Sequence, residues 1–243
     1  MKSAISLMLI IFIAVSVFSQ SKTEQLLAEA DQSIKNTNYV EALAKVEEAL
    51  NHEPSNLKAQ QLQIYIYYLK EDFKQSLALV EKAILNAPLE SEFYYLRGLI
   101  NNTRQRYKKA IDDFNKTIDL QGSTELYKVY LNRGIAYMNI LEYEKATEDF
   151  STSIALNSCI ASAYHSRGYL NYQLRDYSAA VQDFKKALEI NDNNAETNFN
   201  LGMSYFRLEE LDNACKFFQK ACKAGNVNAC KMVLMECAKY LPE

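Results

Sequence analysis

One slot constrains this chain more than any other: a small residue that recurs every 34 positions. Four segments align on it, YYLRGLINNTRQRYKKAIDDF, YLNRGIAYMNILEYEKATEDF, YHSRGYLNYQLRDYSAAVQDF and NFNLGMSYFRLEELDNACKFF. Their glycines, Gly98, Gly134, Gly168 and Gly202, are 36, 34 and 34 residues apart. Counting back by 34 puts Ile64 and Ala30 in the same slot. Six units therefore cover 23–228, namely 23–56, 57–90, 91–124, 127–160, 161–194 and 195–228, with Glu125 and Leu126 inserted between the third and fourth. Fixed-period self-similarity of this length is the mark of a repeat architecture rather than a single globular core.

Numbered from the start of each unit, other positions recur with the slot at position 8. Position 20 is small: Ala42, Ser76, Ala110, Ala146, Ala180 and Ala214. Position 17 carries Tyr39, Phe73, Tyr107, Tyr143, Tyr177 and Leu211, and position 24 carries Val46, Val80, Phe114, Phe150, Phe184 and Phe218. Position 27 is small throughout, and turn formers such as Pro54, Pro88, Gly122 and Asn226 close the units. Each unit reads as two helices, A and B. Positions 8 and 20 are expected to face each other so that the pair approaches closely, with the aromatics filling the gaps. One such pair cannot bury its own apolar face, so units must stack. This pattern resembles the tetratricopeptide repeat over about 206 of the 243 residues. The resemblance implies an all-α fold, a right-handed α-solenoid of helix-turn-helix repeats. It departs from the family in lacking a Trp at position 4, and most in the first two units, where Ile64 replaces Gly in the second.

Positions 7 and 23 change together. They are Arg97 with Asp113, Arg133 with Asp149, and Arg167 with Asp183; the first unit reverses the signs with Glu29 and Lys45, and the sixth is apolar with Leu201 and Phe217. The pair reads as a bridge between helix A and helix B, contributing below about 1 kcal/mol if exposed.

Composition excludes several function classes. With 6 Gly, all isolated, no phosphate-cradling loop can be built. Twenty-seven Lys and Arg against 30 Asp and Glu give a net charge of −3, without the basic excess of a nucleic-acid binder. The only histidines are His52 and His165, and no paired carboxylates, nucleophile elbow or metal cluster is evident. The expectation is a non-enzymatic chain with no cofactor, no metal and no nucleic-acid partner.

The first 19 residues, MKSAISLMLIIFIAVSVFS, place Lys2 before an uncharged apolar run that ends at a small residue. That is the form of a secretory signal peptide, with cleavage after Ser19, and the run is short for a membrane span. The folded part is then exported, periplasmic or secreted; a membrane contact is expected only if this segment stays uncleaved. At the other end, 229–243 is expected to form a capping helix. Cys215, Cys222, Cys230 and Cys237 cluster there. Across an antiparallel hairpin partners have a constant sum. Cys222 with Cys230 and Cys215 with Cys237 share one, and spacings of seven put each helix's two thiols on one face. Two disulfides fit this ladder; buried free thiols are the alternative, and the spacings are wrong for a four-cysteine zinc site. Cys159 is left over. The hairpin ACKAGNVNAC also resembles the cysteine staple of Sel-like repeats.

In tetratricopeptide-like architecture positions 2, 5, 9 and 12 of the A helices face the concave groove. Here they include Tyr65, Tyr68, Tyr95, Leu99, His165, Tyr169, Tyr172, Phe199, Met203 and Phe206, an apolar, tyrosine-rich stripe. Leu131, Ile135 and Met138 fall on the same positions. The Lys and Asn of the family's clamp for chaperone tails are missing. The stripe points to a scaffold that binds a protein or peptide segment in the groove; the alternative is a membrane-tethered envelope component acting by multimerisation. Neither Tyr172 nor Phe206 fills a small packing slot, so both are expected to be replaceable without loss of fold.

Overall fold

The computed structural model describes residues 22–122 and 125–237, so the segment 1–19 with its expected cleavage site lies outside the described residues. All regular structure among the described residues is α-helical, and none of their helices is long and apolar enough to cross a membrane. The chain divides into two compact units, residues 1–123 and 124–243. The first holds α1 (residues 22–35), α2 (Tyr39–His52), α3 (Leu57–Leu69), α4 (Phe73–Asn86), α5 (Ser91–Thr103) and α6 (Tyr107–Asp119). The second holds α7 (Leu126–Asn139), α8 (Tyr143–Leu156), α9 (Ala161–Gln173), α10 (Tyr177–Ile190), α11 (Ala195–Arg207), α12 (Leu211–Lys223) and α13 (Val227–Glu236). Within each unit consecutive helices pack as helix-turn-helix pairs, and the pairs stack as an α-solenoid.

Helix boundaries follow from capping chemistry. Asn38, Asn56, Asp72, Asp176, Asn194 and Asn226 each accept a hydrogen bond from the backbone N–H three residues on. Such caps satisfy donors that a helix cannot. The turn between the two helices of a repeat is a left-handed closure at position 15. Thr37, Glu71, Gln105, Leu141, Arg175 and Glu209 all have positive φ, and the next residue's N–H reaches back five residues, as Asn38 N does to Ser33 O at 2.8 Å. This is the Schellman ending of a helix, which usually takes glycine. Glycine takes none of these six places; the one positive-φ glycine, Gly225, closes α12 instead, so no glycine in the sequence marks the turns within the repeats.

The small slot at position 8 receives the aromatic ring at position 24. A Cβ built on Gly98 would lie 2.6 Å from the Phe114 ring, and on Gly202 2.6 Å from the Phe218 ring. Gly134 and Gly168 stand in the same relation to Phe150 and Phe184, at 2.8 and 3.0 Å. All four phenylalanines are fully buried. In the first two repeats Val takes the place of the ring and the slot residue is larger: Ala30 goes with Val46, and Ile64 with Val80. The expected approach of positions 8 and 20 is present as well. Ser76 Oγ donates to Ile64 O at 2.9 Å, and Ala214 O is 3.3 Å from where a Gly202 Cβ would sit. The ring, however, is what requires the glycine.

The bridges between positions 7 and 23 form in all three Arg–Asp repeats, each two-pronged through Nε and Nη2 of one guanidinium edge: Arg97 Nη2 to Asp113 Oδ1 at 2.6 Å, Arg133 Nη2 to Asp149 Oδ1 at 2.7 Å, and Arg167 Nη2 to Asp183 Oδ1 at 2.8 Å. Lys45 and Glu29 make the sign-reversed pair at 2.6 Å. Exposure is where the expectation fails. Asp113, Asp149 and Asp183 are buried, and Asn101 and Asn171 donate further bonds to the first and last of them. Burial pushes the Asp113 and Asp149 carboxyls above their ordinary range, while Asp113 and Asp183 hold their arginines' protons more tightly. Removing an arginine here strands a desolvated carboxylate, a cost nearer 3 kcal/mol than that of a surface pair.

At the C-terminal end α13 packs on α12, with Cys215 Sγ 1.96 Å from Cys237 Sγ and Cys222 Sγ 1.97 Å from Cys230 Sγ. Cys159 is exposed and unpaired.

The ring-in-slot account makes a paired expectation. Gly98→Ala should destabilise the protein by about 1–3 kcal/mol through overpacking against Phe114. Adding Phe114→Val recreates the Ala–Val pair of the first repeat, and the double variant should lose less than the two single losses summed, by at least about 0.5 kcal/mol. Urea denaturation of the four proteins measures this; strict additivity would show that ring and slot do not interact.

Candidate partner-binding site

The structure places the ten stripe residues in two groups. In the first unit, Tyr65, Tyr68 and Leu99 pack around the core of Ile64, Val80, Phe93 and Ile100. Tyr65 and Tyr68 stack at 6.0 Å, and Tyr68 continues onto Phe73 at 6.0 Å. The Tyr68 hydroxyl meets Thr103 Oγ1 at 3.1 Å and so ties α3 to α5. Tyr95 lies against Phe114, the ring that fills the Gly98 slot, at 6.1 Å.

In the second unit His165, Tyr169 and Tyr172 come from α9, and Phe199, Met203 and Phe206 from α11. Phe199 and Phe206 both lean on the buried Phe218, at 6.0 and 6.5 Å, and Tyr172 packs on Tyr177 at 5.4 Å. Tyr172, Phe199, Met203 and Phe206 are half-buried against the core that contains Phe184, Leu201 and Phe218. Tyr169 alone of the ten is exposed, its hydroxyl accepting from Gln173 Nε2 at 2.8 Å. Leu131, Ile135 and Met138 on α7 are likewise partly buried, against Ala146, Phe150 and Leu170. The stripe is thus a wall whose back is core and whose front is partly open. Tyr172 and Phe206 pack against the core, so replacing them is expected to cost some stability as well as contact surface.

Two side chains that sequence reasoning missed cross between A helices here. Thr197 Oγ1 meets His165 Nδ1 at 2.8 Å, and Arg207 Nε donates to the Tyr172 hydroxyl at 3.4 Å. Both sit at positions with no recurrent residue type, so periodicity could not single them out. His165 also packs on Phe184 at 5.5 Å. Burial drives its pKa below the ordinary histidine value, with Glu196 opposing weakly. No group of three or more potential metal ligands occurs among the described residues.

The sign of the His165 effect follows from linkage. The folded state favours neutral imidazole, so on acidification the unfolded chain takes up the proton first. Stability contributed by His165 is complete above about pH 6.5 and falls below it. His165→Gln, which can keep a hydrogen bond to Thr197, should flatten the loss of stability between about pH 7.5 and 5.5. Chemical denaturation at a series of pH values tests this, and an unchanged slope in the variant would contradict it.

Models of the tetratricopeptide repeat family match residues 62–123, 161–194 and 195–224. Among curated proteins, the chain is 34% identical over 144 residues to human tetratricopeptide repeat protein 13, covering 56% of this chain and 16% of that protein. It is 32% identical over 79 residues to a protein SGT1 homolog of Oryza sativa subsp. japonica, covering 32% of this chain and 21% of that one. It therefore spans a small part of the length of either relative. Among solved structures, PilF of Pseudomonas aeruginosa superposes with a TM-score of 0.77 at 17% identity, covering 89% of this chain and 98% of its own. PilW, described as a widely conserved type IV pilus biogenesis factor, gives 0.79 at 18%, covering 88% and 98%. YrrB, described as a TPR protein with an unusual peptide-binding site, gives 0.60 at 18%, covering 81% and 98%. At these identities the likeness is one of fold.

Proposed function

Because this chain belongs to the tetratricopeptide-repeat family, we propose that it is a non-catalytic scaffold, exported from the cytosol, that holds a peptide or protein segment against the inner faces of its A helices. The observation that carries this reading is the wall on α9 and α11, where Tyr172, Phe199, Met203 and Phe206 are backed by a core of buried rings and Tyr169 lies exposed on the same helix face as Tyr172. Tyr, Phe and Met concentrate binding energy at interfaces. Rings already held by the core lose little freedom when a ligand covers them, which conserves affinity. A segment with apolar side chains would displace water from the open edges of these rings, while the Tyr169 and Tyr172 hydroxyls offer hydrogen bonds that set its register. The peptide-binding site described for YrrB lends this use of the fold a precedent in a different protein.

The partner is found by capture from envelope extract on the full chain, then purified and titrated. Tyr169→Ala, at an exposed site, should weaken binding by several fold with unchanged stability. Tyr172→Ala with Phe206→Ala should weaken it by at least roughly tenfold, about 1.4 kcal/mol, together with some loss of stability. Lys186→Ala, which removes an exposed pair with Glu189 on α10, is the control and should leave affinity unchanged. Groove variants that bind like the native protein, with an α10 variant that does not, would put the binding surface elsewhere.

Export is tested through the thiols. Peptide mapping of freshly isolated, unreduced native protein should yield the cross-linked pairs Cys215–Cys237 and Cys222–Cys230. Four alkylatable thiols at these positions would point to a reducing compartment.

A further inference from the structure

The second repeat contains a cleft with a chemistry of its own. It measures about 200 Å3 and lies among α2, α3 and α4, with Ile64, Leu79 and Ala83 as an apolar floor and Gln60, Gln63 and Asn86 among the side chains that line its rim. No stripe residue lines it. The other repeats indicate what such a space accepts. Gln60 Nε2 donates to Pro54 O at 2.9 Å, and one repeat later the Tyr94 hydroxyl donates to Pro88 O at 3.0 Å. Gln60 therefore stands where α5 carries a phenol ring. Gln63 stands where α5 carries Arg97, whose guanidinium lies 5.6 Å from the Tyr94 ring. Tyr130 with Arg133 and Tyr164 with Arg167 repeat that stack, at 5.2 and 6.0 Å. Asn86 replaces the aliphatic Leu120, Leu156 and Ile190 of the same position.

The second repeat has thus lost a ring, a guanidinium and an aliphatic side chain from one place while its floor has stayed apolar. It has also lost the counter-charge: Leu79 occupies the position of Asp113, and Lys82 stands at the rim. An incoming cation would find no carboxylate in the cleft and would face a like charge. A neutral planar ring meets an apolar floor and the amides of Gln63 and Asn86, which make no side-chain hydrogen bond to the described residues. A cavity of about 150 Å3 is known to be large enough for one benzene ring.

We propose that this cleft binds the phenol ring of a tyrosine side chain presented by a partner, taking the place that Tyr94 fills in the next repeat. The site goes beyond the inner-face reading, uses none of its residues, and stands or falls separately from it.

The test uses the full chain with labelled Ile, Leu, Val and Ala methyls and p-cresol, the tyrosine side-chain analogue, followed by NMR. Saturable shifts are expected at the Ile64, Leu79 and Ala83 methyls. Gln60→Tyr and Asn86→Leu each install what the third to fifth repeats carry, and each should weaken cresol binding at least roughly tenfold, with the remaining spectrum unchanged. Should one of these variants fail to fold, the other gives the same reading. 4-Methylcyclohexanol, of similar size but not planar, should bind several fold more weakly. The proposal is overturned by no saturable shift, by shifts equally large at Ile111 and Val181, by a folded variant that binds as tightly as the native chain, or by equal binding of the non-planar alcohol.

Discussion

In the third to sixth repeats the placement of helix against helix depends on a phenylalanine ring lying on a bare backbone. In four repeats the ring at position 24 of helix B occupies the space where a side chain at position 8 of helix A would begin. The separation of the two helices is then set by the thickness of a ring rather than by interdigitating side chains, and a dense interior resists any other separation. With that separation fixed, the A-helix residues at positions 5, 9 and 12 are held at a repeatable depth. Phe199 and Phe206 rest directly on Phe218, and Tyr95 and His165 on Phe114 and Phe184. The same ring that locks a repeat also backs the surface proposed to bind.

The buried bridges add a second lock of a different kind. Arg97, Arg133 and Arg167 reach from helix A to buried carboxylates on helix B, and their neighbouring tyrosines lie near the guanidinium groups. A hydrophobic contact tolerates sliding; a two-pronged pair between a guanidinium and a carboxylate sets a register. Where the sixth repeat gives up this pair for Leu201 and Phe217, Phe217 stacks on Tyr205 at 5.7 Å, and the disulfides of α12 and α13 lie in the same region of the chain.

Much of this was legible from residue order because a repeat supplies its own comparisons. Arg–Asp and Glu–Lys could be seen to exchange sign, and cysteines with a common sum to meet across a hairpin, whereas the slot at position 8 was matched with position 20 and not with the ring at position 24 that fills it. What stayed hidden depends on features without a repeating signal. Leu141 at φ 65° gives no local hint of a left-handed turn, because the closure is imposed by the packed helices on either side. The depth of Asp149 is invisible, since a charged residue reads as surface until its cover is seen. The hydrogen bonds of Tyr68 with Thr103 and His165 with Thr197 join unrelated slots. The half-burial of the stripe was hidden too: the period marks Tyr172 as an equivalent A-helix position, not how far it is sunk.

A rigid aromatic wall differs from an adaptable loop surface in how it should respond to a ligand. Backed by core rings, it should bind without rearrangement, so protection from solvent ought to appear only where contact is made. Hydrogen-exchange mass spectrometry of the full chain, alone and saturated with its captured partner, reads this directly. The expected result is slowed exchange confined to peptides from α9 and α11, with α10 and α12 unchanged. Protection centred on α10 and α12, with α9 and α11 unaffected, would contradict the assignment of the inner faces as the binding surface.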